Sequence, residues 1–203
     1  MSGAFPISTA KFESLGIKSI QNTIISKTVS GKKLARQIDG QRWGFTARVI
    51  TAKRSDVYGD LMSFIVKQRS GKENFTIIPP EVEDARGTAS GTPHGTASAG
   101  DTSITLGGTG TGTLKAGDMI KFANHDKVYM VVADQSDIST GTLTIEPPLT
   151  TAVSSSNITF DNVPFTVHLT NDVQEFGVAG ADKDGNALYQ FEFDVEKHFN
   201  EKI

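Results

Sequence analysis

The side chains able to do acid–base or nucleophilic chemistry are scattered along this sequence. Its four histidines, His94, His125, His168 and His198, show none of the i, i+3 or i+4 spacing that builds a zinc site. Serine and aspartate are also present, yet no nucleophile elbow or other local signature supports a catalytic triad. The sequence therefore predicts structural or surface roles for the histidines. It predicts no catalytic residues, no metal and no cofactor, and we do not expect an enzyme.

One aspartate-rich segment, residues 182–186, begins like a calcium-binding loop with the pattern D-x-D-x-N. The pattern then fails, because Ala187 and Phe193 stand where such a loop needs glycine and glutamate. A hairpin turn is the better interpretation, since Asp184 followed by Gly185 is a strong turn signal.

A Thr/Gly-rich tract covers residues 86–113 and holds two features with the look of functional motifs. The sequence GGTGTG (107–112) has the glycine content of a phosphate loop, but it lacks the Lys-Ser/Thr ending and precedes a strand instead of a helix. A flexible hairpin or linker is the better interpretation. The duplication GTAS (87–90 and 95–98) indicates low-complexity drift.

The composition excludes several classes of function. A formal net charge of −3 gives no basic field, so nucleic-acid binding by bulk electrostatics is not expected. The absence of cysteine excludes disulfides and sulfur-based metal sites. The N-terminal sequence MSGAFPISTAKFESLG has no apolar core of a signal peptide, and no apolar run has the length of a membrane span, so we expect no membrane insertion.

Two clusters of basic residues need an interpretation, Lys32-Lys33 with Arg36 and Lys53-Arg54. Either cluster could line a conduit for DNA. Solvated surface is the preferred interpretation, because most charge runs are solvated faces.

Two segments alternate between apolar and polar residues as half-buried strands do, QRWGFTARVI (41–50) and ALYQFEFDVEKHF (187–199). Their apolar faces consist of Trp43, Phe45, Ala47 and Val49, and of Tyr189, Phe191, Phe193 and Val195. The opposite face of the first strand carries Arg42, Thr46 and Arg48. In a ring-forming protein, a polar strand face of this kind can face an aqueous lumen.

The rest of the pattern predicts a mainly β fold with one α-helix, at 55–71. The first thirty residues suggest an extended arm with one or two short strands. Further strands are expected at 75–78, 102–106, 118–123, 127–134, 140–147, 157–160 and 163–170, with a long hairpin from 173–179 to 187–196. Closely spaced short strands favour a small barrel or sandwich. We expect a discontinuous β-sandwich or barrel domain, 1–85 with 152–203, interrupted by an inserted small β-barrel at 86–151.

The sequence LKAGDMIKFANHDKVYMVVAD (114–134), followed by TGTLTIEPPL (140–149), resembles the inserted β-barrel of distal tail proteins from tailed bacteriophages. The sharpest part of this resemblance runs from Gly117 to Tyr129. The order of elements from about residue 40 to the end is also similar. The first forty residues carry none of the resemblance.

This resemblance implies a non-enzymatic protein of the phage tail tip or baseplate. The outer domain would be tail-tube-like and would form a ring, a hexamer, that joins the tail tube to the tip hub. The inserted barrel would be OB-like and would dock side fibres or other tail-tip proteins. The implied location is the virion, after assembly in the host cytoplasm, with DNA passing through the lumen.

Two strand faces are the candidates for the ring or tube interface under this interpretation. They contribute Trp43, Phe45, Tyr189, Phe191, Phe193 and Val195. Arg42 and Arg48 are the candidates for the face that lines the lumen.

Three alternatives stay open at this point. One is a tube-terminating baseplate protein of a contractile tail, which would share the tube-like domain. Another is a carbohydrate-binding module for receptor recognition, which would need exposed aromatic residues. Phe122 and Tyr129 are the only aromatics in the inserted module before Phe160. A hydrolase would require a clustered acid–base pair, which the sequence does not show.

Overall fold

A computed structural model describes residues 3–6, 12–37, 40–80 and 82–197. The chain divides into two compact units, Met1–Thr76 with Thr166–Ile203, and Ile77–Phe165. His198 lies outside the described residues. Within the described residues, no helix combines the length and apolar character needed to cross a membrane.

The described residues form fourteen strands and one α-helix. In chain order they are β1 (Phe12–Ile20), β2 (Thr23–Lys27), β3 (Lys33–Gln37), β4 (Arg42–Lys53), α1 (Gly59–Lys67), β5 (Phe75–Ile77), β6 (Pro93–Ala97), β7 (Ser103–Gly108), β8 (Met119–Phe122), β9 (Val128–Val131), β10 (Thr142–Glu146), β11 (Val153–Thr159), β12 (Phe165–Leu169), β13 (Gly177–Ala181) and β14 (Ala187–Lys197). The mainly β fold class is confirmed.

One sheet has the strand order β1-β4-β14-β12-β5, with β13 pairing to β14. β4 and β14 run antiparallel, and Phe45 lies opposite Val195. The side chains of Trp43 and Phe191 are both buried. The alternation read from the two sequences is therefore confirmed as an inward apolar face and an outward polar one.

The predicted helix at 55–71 is divided into three parts. A π-helical turn, Arg54–Tyr58, precedes α1, and a 3₁₀ turn, Ser70–Lys72, follows it. The π turn is closed by the backbone N–H of Gly59, which donates to the carbonyl of Arg54. A Cβ at position 59 would lie 2.8 Å from that carbonyl oxygen, so the glycine permits this close turn.

The N-terminal region is more regular than the expected arm. β1 is a nine-residue strand that pairs with β4 along its length. β2 and β3 form a separate two-stranded hairpin whose strand residues are all exposed.

The second unit contains a closed barrel with the strand order β10-β7-β6-β11-β8-β9. Its core is apolar and includes Ile104, Phe122 and Tyr129. β11 pairs with both β6 and β8. The residues of β11 lie beyond the predicted boundary at residue 151, and in the structure they contribute a strand to the barrel. The division of the chain at 86–151 stays a prediction.

In the Thr/Gly-rich tract, the segment 107–112, for which a flexible hairpin or linker was predicted, faces the segment around Ser90, and Ser90 and Thr111 exchange two backbone hydrogen bonds of 2.9 Å. The two ends of the tract run side by side, and the whole of β6 and the whole of β7 lie between them. The facing hydroxyl pairs are Thr88–Thr113 at 3.4 Å, Ser90–Thr111 at 2.9 Å and Thr92–Thr109 at 2.8 Å. The glycines between them allow the two backbones to approach, since a Cβ at Gly112 would lie 2.1 Å from the carbonyl oxygen of Thr88.

Candidate functional site: the charged face of the sheet

The outward face of β1, β4 and β14 carries rows of opposite charges. The register places Glu192 opposite Arg48, and Asp194 opposite Thr46. Lys18 of β1 reaches Asp194 at 3.3 Å. Arg42 reaches Glu196 at 3.5 Å. Each basic group on this face therefore has a carboxylate partner.

Arg48 is the centre of the largest polar cluster on this face. Its guanidinium lies 3.6 Å from Glu13 and 3.9 Å from Glu192, and it donates a 3.0 Å hydrogen bond to the side-chain oxygen of Gln190. The amide of Gln190 in turn donates to Glu13 at 2.7 Å. Glu13 takes part because β1 has a register shift between Phe12 and Ser14. The cluster therefore ties three neighbouring strands together.

Asp194 is the carboxylate held most firmly on this face. The hydroxyl of Thr46 donates to it at 2.5 Å. This hydrogen bond, together with the nearby Lys18 ammonium, holds the pKa of Asp194 below its usual value.

A groove of about 460 Å³ opens on the same face. β14 contributes Gln190, Glu192 and Asp194, and β13 contributes Gly177, Val178 and Ala179. Asn171, Val173, Glu175 and Arg48 complete the lining. Three carboxylates and one guanidinium line the groove, and Lys18 pairs with one of the carboxylates, Asp194, so a net negative charge remains.

The residues predicted to form the ring or tube interface are found in the core. Trp43, Phe45, Phe191, Phe193 and Val195 are all buried within the chain itself. Tyr189 is partly buried, and its ring stacks on Tyr58 with centroids 5.3 Å apart. The side chains of these six residues therefore pack within the chain. A contact with another subunit would have to use strand edges or the outward face, and the interface role stays a prediction.

The two residues predicted to face a lumen do lie on the outward face of β4. Arg42 is partly buried and Arg48 is about 44% exposed in its side chain. The sequence did not reveal the carboxylates paired with them, because these come from β1 and β14 and depend on strand register. Charge alternation in β14 was the available signal.

The aspartate segment 182–186 is a hairpin turn between β13 and β14. Asp182 accepts hydrogen bonds from the backbone N–H groups of Asp184 and Asn186 and from the Asn186 amide. It also pairs with Lys53. These bonds, that from the Asn186 side chain first, hold the pKa of Asp182 well below its usual value. Among the described residues, no cluster of histidines and carboxylates is arranged to hold a metal ion.

The three described histidines occupy different places in the fold. His94 lies in β6, His168 in β12 and His125 in a turn after β8.

His125 completes a hydrogen-bond network beside Tyr129. The Asn124 amide donates to the carbonyl of Ala152 at 2.9 Å, so its oxygen faces His125 Nδ1 at 2.8 Å. A neutral His125 therefore carries its proton on Nδ1 and accepts from the Tyr129 hydroxyl through Nε2 at 2.8 Å. The Tyr129 oxygen also accepts from the backbone N–H of Thr150 at 3.1 Å. This network connects the turn after β8 to the segment that precedes β11.

Comparison with protein families supports the interpretation of the barrel. Residues 82–163 match the family described as distal tail protein pb9, B domain. The matched residues lie within the unit Ile77–Phe165 and include every strand of the closed barrel. No curated protein sequence matches the chain.

The class of protein is therefore a mainly β structural component of a phage tail, with an OB-like barrel. The match of residues 82–163 supports a phage distal tail protein, and the resemblance seen in the sequence is confirmed. Such a protein is a virion component and interacts with other components of the tail.

Proposed function

We propose that the chain is a ring-forming, non-enzymatic subunit of the tail tip or baseplate. Six copies would close a ring that joins the tail tube to the tip hub. The barrel would serve as a docking platform for fibres or other tail-tip proteins. Assembly would take place in the host cytoplasm. The observation that carries this proposal is the match of the whole barrel to the distal tail family.

The exposed edges of the sheet support a ring. β1 and β13 each pair along one side only within the described residues. A ring of identical subunits closes through heterologous contacts, and the edges of a sheet are natural surfaces for them. The buried core of the sheet is then left undisturbed by assembly.

The charge pattern of the outward face supports a lumen through which DNA passes without binding. The basic residues Lys18, Arg42 and Arg48 are paired with carboxylates. Protein–DNA affinity comes largely from unneutralised basic groups that displace counterions from phosphates. A lumen wall whose basic groups are already paired with carboxylates would bind DNA only weakly. Weak binding is what a channel that conducts DNA requires.

The carbohydrate-binding alternative loses support in the barrel. Binding of a sugar ring needs an exposed aromatic face, and both Phe122 and Tyr129 are buried. Docking of proteins is therefore the better proposal for this unit.

Negative-stain microscopy tests the proposal. We expect the purified chain, alone or mixed with its tail-tube protein, to give rings with a central hole and sixfold class averages. A chain that forms no ring and binds neither the tube nor the hub under any of these conditions would contradict the proposal.

A further inference from the structure

The β2–β3 hairpin has the features of a segment that is buried only in an assembly. Ile24 and Ile25 are 57% and 56% exposed, and Leu34 is 50% exposed. A two-stranded hairpin with no covering layer is marginally stable in water. Its burial against a partner would remove this apolar surface from solvent.

The charges of the hairpin indicate an acidic partner. Residues 23–37 contain Lys27, Lys32, Lys33 and Arg36 and no carboxylate. Lys27 lies directly opposite Lys33 in the strand register. Like charges directly opposite each other destabilise a strand pair, and a nearby carboxylate would relieve the repulsion.

The register divides the exposed side chains of the hairpin between two faces, with Ile24 and Leu34 on one face and Ile25 on the other. Ile25 and Ala35 form one cross-strand pair, and Lys27 and Lys33 form the next pair on the same face. Ile24 points to the opposite face, because side chains alternate along a strand. The Ile25 face thus combines an apolar centre with two adjacent ammonium groups.

The acidic groove on the sheet has the complementary features. It is lined by Glu175, Glu192 and Asp194. Val173 and Val178 in its lining are 83% and 61% exposed. The groove therefore offers Glu175 to the lysines, beside the carboxylates already paired with Arg48 and Lys18, and its exposed valines to Ile25.

The strand beside the groove is also open to pairing. β13 has the sequence GVAGA, without charge or proline to protect its edge, and within the described residues it pairs only with β14. An unprotected edge strand is a template for another strand. β13 has five residues, the same length as β2 and β3.

From these observations, we propose that the β2–β3 hairpin of one copy binds in the acidic groove of a neighbouring copy and adds to the edge of its β13. The occupant of the groove is thus a second copy of this chain. The inference rests on the proposed ring, and it names the contact that would close it. The contact is heterologous, so it can repeat around a ring.

A disulfide cross-link tests this contact directly. The chain has no cysteine of its own, so only introduced pairs can react. Ile25→Cys in one tagged copy should cross-link to Val178→Cys in a second copy with a different tag. Ile24→Cys is the matched control, because Ile24 is equally exposed but lies on the other face of the hairpin. We expect it to react more slowly with Val178→Cys by about tenfold.

Charge reversal provides a second measurement. Lys27→Glu with Lys33→Glu should weaken assembly more than about tenfold, as should Glu175→Lys with Glu192→Lys. Mixing the two double variants should restore contacts between unlike copies. The paired change Arg54→Glu with Lys67→Glu, on the exposed side of the helical region, is the control of equal charge. Circular dichroism checks that each variant folds.

The outcomes separate this contact from the proposed function. Rings that form with no preference for the Ile25 pair would overturn the contact and leave the ring proposal standing. An absence of both ring and cross-link would overturn both. A specific cross-link with reciprocal charge rescue would support the contact.

Discussion

At the scale of single residues, the barrel depends on glycines that let two backbone segments approach each other. Gly87 and Gly112 lie where the two ends of the Thr/Gly-rich tract face each other. An added Cβ would lie 1.9 Å from the Thr113 carbonyl oxygen at the first and 2.1 Å from that of Thr88 at the second. A side chain there must push the two segments apart.

Gly112→Ala should therefore destabilise the barrel by about 1–3 kcal/mol through overpacking. Gly100→Ala is the matched control, because both glycines have positive φ, +89° and +91°, but Gly100 has no neighbouring atom within 4 Å. Both variants place alanine at a positive φ, so the difference between their losses of stability gives the cost of the steric clash alone. Scanning calorimetry measures it. Equal melting temperatures for the two variants would refute the close-approach explanation.

Two buried tyrosines should respond differently to loss of their hydroxyl groups. The Tyr129 hydroxyl bonds to His125 and Thr150, and burial raises its pKa. The Tyr58 hydroxyl is buried without a hydrogen-bond partner among the described residues, and burial raises its pKa as well.

Tyr129→Phe should cost about 1–3 kcal/mol, because it removes the acceptor of the Thr150 N–H and the donor to His125 Nε2. Tyr58→Phe should be neutral or stabilising, since it removes an unsatisfied polar group. Chemical denaturation of both variants compares the two free energies of unfolding. A larger loss for Tyr58→Phe would contradict the assigned hydrogen bonds.

Asp182 should make the β13–β14 turn sensitive to acid. Its pKa in the folded chain is held below the ordinary value of about 4 by Asn186 and Lys53. A lowered folded-state pKa means that the stabilisation is complete above about pH 4 and is lost as pH falls through the folded-state pKa. Asp182→Asn should thus be less stable than the natural chain at pH 7, and the gap should narrow below about pH 4.

Thermal unfolding at pH 7 and in acid measures this gap. Asp184→Asn is the control within the same turn, since the Asp184 side chain is 61% exposed. A gap between Asp182→Asn and the natural chain that does not change with pH would show that the carboxylate is not the source of stability.

At the scale of elements, the strands with strict alternation could be predicted from sequence, and the others could not. β4 and β14 were found because every second residue is apolar and meets the same core. β11 was mostly missed, because its sequence VSSSNIT is polar and Ser155 has a positive φ at a register shift. Its place in the barrel depends on partners distant in sequence.

The Thr/Gly-rich tract shows the same limit of local sequence patterns. Gly and Thr in low-complexity order are typical of flexible linkers. Here the glycines meet a second segment about twenty residues away, and the threonines bond across the gap. Composition contains no information about that pairing. The charged face was also predicted only in part, because the sequence indicated Arg42 and Arg48 but not their partner Glu13.

The strands of the barrel should fold without the rest of the chain. A fragment covering 77–165 contains all six barrel strands and their common apolar core. We expect it to be monomeric and to unfold cooperatively. The shorter fragment 86–151 is the matched comparison, because it lacks β11 and leaves β6 and β8 unpaired on one side.

Circular dichroism and solution NMR distinguish the two fragments. We expect dispersed amide signals for 77–165 and a poorly folded 86–151. If both fragments fold equally well, β11 is not needed for closure, and the sequence-based boundaries are adequate.

At the scale of the whole molecule, the features of the two units suggest different functions. The sheet unit has open edges, an acidic groove and an exposed basic hairpin, which suit contacts between copies. The barrel unit carries the match to the distal tail family. We infer that the sheet unit assembles and that the barrel unit presents docking surfaces to other tail proteins.

Light scattering of the purified chain over a concentration series tests the central claim most directly. We expect a species with about six times the chain mass of 21.7 kDa, reached through few intermediates as the concentration rises or tube protein is added. A chain that keeps the mass of one copy at every concentration, with and without tube protein, would contradict the ring.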